Sequence, residues 1–121
     1  MGSSRDYLEY ILDLLRDVSG ITYKKMMGEY ILYKNNIIFG GIYDDRFLVK
    51  KTKSLLDKGF KEVIPYPSAK PMLLIDIEDS EEIESIINLI VSDFQNNWIS
   101  NNLLAILVKL VYNTNTPPFL F

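Results

Sequence analysis

The sequence MMGEYILYKNNIIFGGIYDDRFLVK, residues 26–50, decides the fold. It contains three apolar runs rich in β-branched and aromatic residues: Tyr30 to Tyr33, Ile37 to Tyr43 and Phe47 to Val49. The gaps between them are Lys34-Asn35-Asn36 and Asp44-Asp45-Arg46, and Asn and Asp favour tight reversals of the chain. The stretch therefore predicts a meander of three antiparallel strands. Gly40-Gly41 interrupts the second strand, which indicates a bulge or a close approach of another backbone.

The segment before the meander predicts a helix. Its apolar residues recur at helical spacing: Tyr7, Leu8, Ile11, Leu12, Leu15 and Val18. Ser3 or Ser4 can cap its start, and Ser19-Gly20 ends it. Ile21 to Met26 is expected to add a leading strand to the sheet.

The segment after the meander predicts further elements that complete the fold. Ser54 to Lys58 is expected to form a short helix, and the prolines of residues 65–71 indicate an extended connector. Met72 to Ile77 predicts another strand. A core helix follows, capped by Asp79 and marked by apolar residues at helical spacing: Ile83, Ile86, Ile87, Ile90 and Phe94. The predicted fold is α+β, with an antiparallel sheet of four to five strands packed against N-terminal and C-terminal helices.

Composition limits the chemistry. The chain has 121 residues, a formal net charge of -3, no Cys and no His. Thiolate chemistry, imidazole acid-base catalysis and the common zinc-ligand sets therefore have no residues to carry them. We expect no cofactor and no enzymatic activity. The N-terminus does not have the pattern of a signal peptide, because Arg5, Asp6 and Glu9 interrupt any apolar core, so the cytoplasm is the expected location.

Two polar groups are candidates for function. The most basic stretch contains five lysines that could contact an anion or a nucleic acid, although a solvated surface explains them as well: Lys50, Lys51, Lys53, Lys58 and Lys61. The second group is a cluster for interaction, for a small ligand or for structural support: Glu29, Tyr30, Tyr43, Asp44, Asp45 and Arg46. In this cluster, Arg46 could form a forked ion pair with Glu29. The acids of residues 76–84 lack the spacing of a calcium loop, so we expect no metal site there.

The composition changes near residue 97, so the expected domains are 1–96 and an apolar segment, 97–121. The run from Leu103 to Tyr112 is too short to cross a membrane, which needs roughly 20 apolar residues. Three explanations of the segment stay open. It is a helix packed on the domain, a helix exchanged in a homodimer, or a terminus foreign to the domain that arose by altered reading of the gene.

Several blocks resemble the TfoX N-terminal domain family over about residues 7–94. They are Met26-Met27-Gly28-Glu29-Tyr30, Phe39 to Arg46, Leu48-Val49-Lys50, Pro65-Tyr66 and Ala69-Lys70-Pro71-Met72. The family is named for a bacterial regulator of competence genes, which has a second, C-terminal domain that this chain does not match. The resemblance implies a stand-alone regulatory domain with a protein partner in the transcription machinery. It implies no catalytic or ligand-binding residues.

The sequence thus leads to three functional hypotheses. The first is a non-catalytic regulatory or adaptor domain that acts by protein contact. The second is a nucleic-acid-binding module that uses the five lysines. The third is a small-ligand domain that uses the cluster around Asp45 and Arg46.

Overall fold

The computed structural model describes residues 2–112, and for residues 97–112 it describes the helical backbone and the side chain of Leu107. The chain divides into two compact units, Met1–Val91 and Ser92–Phe121. The predicted domain boundary at residue 96 stays a prediction, and residues 113–121 of the predicted apolar segment lie outside the described part.

The first unit is built on one antiparallel sheet, and this confirms the predicted α+β class. In chain order the elements are α1 (Arg5–Leu14), β1 (Ile21–Met26), β2 (Glu29–Lys34), β3 (Ile37–Ile42), β4 (Phe47–Lys50), a 3-10 turn (Lys53–Leu55), β5 (Glu62–Val63), β6 (Met72–Leu74) and α2 (Ser80–Tyr112). The strands lie in the order β1-β2-β3-β4-β6-β5. The sheet has six strands rather than four to five, because β5 has only two residues and leaves no sequence pattern.

The first four strands are joined by three two-residue turns. Met27-Gly28, Asn35-Asn36 and Asp44-Asp45 all have positive φ, as both central residues of type I′ turns do. The third turn is closed by two backbone bonds, from Tyr43 N to Arg46 O at 2.9 Å and from Arg46 N to Tyr43 O at 3.1 Å. The two gaps predicted to be turns are confirmed. The first and third turns lie at one end of the strands, and the second turn lies at the opposite end.

Gly40 allows β3 and β4 to approach closely. A Cβ at Gly40 would collide with Leu48 O and lie 2.9 Å from Val49 Cα, both on β4. The pairing of β2 with β3 shifts by one residue next to Gly40, so Phe39 is the extra residue of a bulge. The sequence prediction of a bulge or a close approach is confirmed, and both occur.

Helix α1 covers the sheet face that carries Tyr23, Tyr30 and Leu32. The guanidinium carbon of Arg5 lies 6.0 Å from the centre of the Tyr23 ring, and Leu8 and Ile11 are buried. Leu15 and Val18, predicted as helical core residues, are also buried but follow the helix, which ends at Leu14. Most of the remaining core lies on the strands and α2: Tyr30, Leu32, Phe39, Ile42, Phe47, Leu48, Val49, Leu73, Ile83, Ile86, Ile87 and Ile90. Ile75, just after β6, is also buried.

Helix α2 begins as predicted but extends further. Asp79 Oδ1 accepts hydrogen bonds from Glu81 N at 3.0 Å and Glu82 N at 3.4 Å, which caps the helix. The predicted helix over Ser54 to Lys58 is only the 3-10 turn, and the strand predicted to reach Ile77 ends at Leu74. Within residues 2–112, no helix combines the length and apolarity that a membrane span requires.

Candidate functional site

The N-terminal segment is hydrogen-bonded to the end of the sheet where the first and third turns lie. Ser3 N donates to Gly28 O at 2.9 Å, and Ser3 Oγ donates to Glu29 Oε1 at 2.7 Å. Asp45 N donates to Ser3 Oγ at 3.0 Å, and Ser4 N donates to Asp45 Oδ1 at 2.7 Å. We call this set of bonds the N-terminal clasp.

Local sequence explains why these groups meet. The left-handed backbone of Asp44 and Asp45 turns their N–H groups out of the strand ladder. The Asp44 N–H then donates to the Glu29 carboxylate, at 3.1 Å to Oε2 and 3.3 Å to Oε1. Ser4 Oγ accepts from Tyr7 N at 3.1 Å and so caps α1. The clasp therefore joins the start of α1 to two turns of the sheet.

The prediction that Arg46 forms an ion pair with Glu29 is wrong: within the described part of the chain these two side chains do not pair. Arg46 Nε donates to Tyr43 O at 3.1 Å, within its own hairpin. The Glu29 carboxylate is instead occupied by Ser3 Oγ and Asp44 N. These two donors satisfy the carboxylate without the guanidinium.

Tyr30 lies apart from the other cluster residues. It alternates with Glu29 along β2, so its side chain is on the opposite face of the sheet. The ring is 3% exposed, and its centre lies 5.9 Å from that of Tyr23 in an edge-on arrangement. Tyr30 is therefore a core residue beneath α1, whereas the structure brings Glu29, Tyr43, Asp44, Asp45 and Arg46 together.

Two tyrosines next to the clasp hold their protons more tightly than usual. Burial raises the pKa of Tyr43, and the neighbouring Tyr66 and Glu29 raise it further. Burial also raises the pKa of Tyr7, a hydrogen bond with the Phe47 backbone lowers it, and the charge of Asp45 raises it. Neither hydroxyl is placed to act as a base near neutral pH, because both groups are neutral there.

The five lysines are spread over several elements. Lys50 is half-buried at the end of β4, opposite Met72 of β6. Lys51 Nζ lies 3.1 Å from Glu62 Oε2, so its charge is paired. Lys53, Lys58 and Lys61 are exposed. Nucleic-acid binding through this stretch stays a prediction.

Met27 is the most unusual residue on this side of the sheet. It occupies the first central position of the β1–β2 turn with a φ of 53° and is 96% exposed. The other two turns use Asn and Asp at this position, as left-handed backbone favours. Met26, just before it, is 48% exposed. The turn therefore presents apolar side chains to solvent at a position where Met favours neither stability nor solubility.

Among the described residues, no group of three or more acidic side chains is arranged to hold a metal ion. Comparisons with protein-family models, with curated proteins and with solved structures each found no match.

Sequence reasoning missed two features of this site. The clasp links Ser3 to residues 26 and 42 positions away, and the only local signal was the capping preference of serine. The sequence does contain a signal for the exposed left-handed Met27. A Met-Gly pair between two runs of strand residues implies that Met takes the left-handed position that Asn or Asp normally takes.

Proposed function

We propose that this chain is a non-catalytic regulatory or adaptor domain that acts by protein contact in the cytoplasm. The observation that carries the proposal is Met27, an almost fully exposed apolar side chain on left-handed backbone. Such a conformation in a residue that is neither Gly, Asn nor Asp is unfavourable by about 1 kcal/mol or more. Conformational strain of this kind concentrates at functional positions.

The setting of Met27 suits a contact surface. Gly28 O accepts the Ser3 N–H, so the turn is held from the N-terminal segment as well as from its own strands. Because a fixed turn loses little conformational freedom when it binds, its apolar surface contributes more fully to affinity. Met is also a side chain that adapts to irregular apolar surfaces on a partner.

The polar groups beside the turn support contact rather than chemistry. Glu29 and Asp45 accept bonds from Ser3 and Ser4, so their carboxylates are engaged in holding the fold. The resemblance to the TfoX N-terminal domain family agrees with a regulatory role, with the transcription machinery as the class of partner.

The test is affinity capture from nuclease-treated source cells, with the wild-type chain and a Met27→Asn variant compared. Asn suits the turn, so this variant keeps the fold while losing the exposed thioether. Leu56→Asn is the control, because Leu56 is another exposed apolar residue, at 59%, that lies outside the turn.

We expect a protein at stoichiometric level with the wild type and with Leu56→Asn, and at least tenfold less of it with Met27→Asn. Equal recovery of the protein by all three chains would show that Met27 does not contact the partner. Recovery of no protein by the wild type would overturn the adaptor function.

A further inference from the structure

Strand β1 forms one edge of the sheet and is nearly all exposed. Within residues 2–112 it pairs only with β2. Five of its six residues are exposed, and Ile21 is half-buried. An edge of this length presents backbone groups to which another strand can bond.

The register shows which backbone groups are free for a partner. Gly20 O accepts from Asn35 N at 2.9 Å, and the ladder pairs Thr22 with Tyr33 and Lys24 with Ile31. In an antiparallel ladder, hydrogen-bonded pairs alternate with pairs that are not bonded to each other. The even-numbered residues therefore bond to β2. The N–H and C=O groups of Ile21, Tyr23 and Lys25 point away from β2, toward the open edge.

The edge has a definite charge. Residues 18–28 contain two lysines and no acidic residue, in a chain of net charge -3. Lys24 and Lys25 are adjacent, so one ammonium group lies on each face of the sheet at the edge. Both are exposed. On the α1 side, Arg5 adds a further cation above Tyr23, although it also pairs with Glu9 at 3.5 Å.

We infer that β1 binds an extended peptide strand that carries two adjacent acidic residues. Backbone bonds to Ile21, Tyr23 and Lys25 supply the pairing, and the two acids of the peptide meet Lys24 on one face and Lys25 on the other. Cross-strand pairs of opposite charge are favourable and pairs of like charge are unfavourable. A second copy of β1 would bring two more lysines and no acid, so the occupant is an acidic segment of another protein.

This inference rests on the proposed function, and it adds the chemistry of the partner. Met26 and Met27 stand at the end of the same strand, so a peptide on β1 that continues past Met26 also meets the exposed turn. Lysines on an edge strand also protect against aggregation. Protection against aggregation requires the charge of the lysines but no free backbone N–H, whereas binding of a peptide strand requires both.

The test uses the purified full chain and fluorescence anisotropy. The probe is a labelled Ser-Val-Thr-Glu-Glu-Val-Thr-Ser peptide, and its matched control has Lys-Lys in place of Glu-Glu. We expect saturable binding of the acidic probe and no binding of the basic one. Lys25→Ala is expected to weaken binding about threefold through loss of one charge pair.

A second variant isolates the backbone. Lys25→Pro loses the same charge and also the outward N–H, while the bonds between β1 and β2 remain. We expect it to bind about fivefold more weakly than Lys25→Ala, the effect of one hydrogen bond. Equal affinity of the two variants, in chains with the same thermal midpoint, would overturn the strand-pairing geometry.

A charge exchange keeps the test independent of Lys25→Pro. The double variant Lys24→Glu, Lys25→Glu is expected to reject the acidic probe and to bind the basic one. Failure to exchange specificity would overturn the inference. The peptide assay contains no cellular partner, so the two proposals can fail separately. If the acidic probe does not bind but the wild-type chain captures a protein that Met27→Asn loses, only the strand-pairing inference fails. If the probe binds but the wild-type chain captures no protein, the proposed function fails.

Discussion

Ser3 and Glu29 lie 26 residues apart in the chain, and Ser3 Oγ donates a 2.7 Å hydrogen bond to Glu29 Oε1. The same hydroxyl accepts from Asp45 N at 3.0 Å, so one small side chain connects β2 with the β3–β4 turn. Bonds to a carboxylate are among the stronger ones. The start of the chain is thus part of the sheet's hydrogen-bond network.

Ser3→Ala is expected to lower the free energy of unfolding by about 1–2 kcal/mol, because it removes the part-buried hydrogen bond that Ser3 Oγ donates to the Glu29 carboxylate. Urea denaturation monitored by circular dichroism measures the change. Ser85→Ala is the control, since Ser85 is exposed on α2 and its replacement should stay within about 0.5 kcal/mol of the wild type. Similar values for both variants would show that the clasp does not stabilise the fold.

Gly40→Ala is expected to destabilise the protein by about 3 kcal/mol, because the new Cβ meets Leu48 O and Val49 Cα on β4. Gly59→Ala separates this collision from backbone strain. Gly59 has a φ of 78° but open space around it, so only the left-handed conformation is penalised, by about 1 kcal/mol. Thermal unfolding of the two variants should give the larger loss for Gly40→Ala, and the opposite order would contradict the close approach of the strands.

Met27→Asn is expected to raise the free energy of unfolding by about 1 kcal/mol, because Asn-Gly suits a type I′ turn better than Met-Gly. Urea denaturation of the variant and the wild type measures the change. Asn36→Asp, at a turn that is already favourable, is the control and should change little. A Met27→Asn chain less stable than the wild type would show that the Met side chain supports the fold, and would weaken its assignment to a partner.

Stability is expected to fall in alkali partly through Tyr43. Its pKa in the folded chain is raised above the ordinary value of 10.0, first by burial and then by Tyr66 and Glu29. The unfolded chain therefore loses this proton first, so the contribution is complete below pH 10 and is lost as the pH rises through the folded pKa. Tyr43→Phe should show a shallower decline in urea midpoint above pH 10. Parallel declines would contradict a role for this phenol.

The lysine stretch is expected to bind DNA weakly. Lys51 is paired with Glu62, and the chain carries a net charge of -3. We expect dissociation constants weaker than about 10⁻⁴ M for a duplex at physiological salt, the weak limit for non-specific binding. Tighter binding that falls steeply with salt, and that a Lys53→Glu, Lys58→Glu, Lys61→Glu variant loses, would favour the nucleic-acid hypothesis over the adaptor.

Much of the meander could be predicted because its information is local. Asn35-Asn36 and Asp44-Asp45 specify two turns, and the apolar runs around them specify the strands. The runs do not specify which face is buried, because Tyr30 to Tyr33 are all apolar and only Tyr30 and Leu32 are buried. Glu62 and Val63 form a strand only because β6 lies beside them, at a register that no local pattern records.

The candidate site was less predictable than the fold. Asp44 and Asp45 stand out in the sequence, but their partners come from Ser3, Ser4 and Glu29. Arg46 was expected to reach Glu29 by charge alone, whereas the distances within the turn favour Tyr43 O. Long-range hydrogen bonds depend on tertiary placement, which charge and propensity do not specify.

The three short turns also determine the order in which the chain acquires structure. Strands β1 to β4 follow one another within residues 21–50, so their pairing requires only short loops to close. Hairpins of this kind form within about 1–10 μs. During synthesis, this meander leaves the ribosome before β6 and α2 do. We expect nascent structure to nucleate there, and hydrogen exchange on stalled chains should show protection in β2 and β3 first.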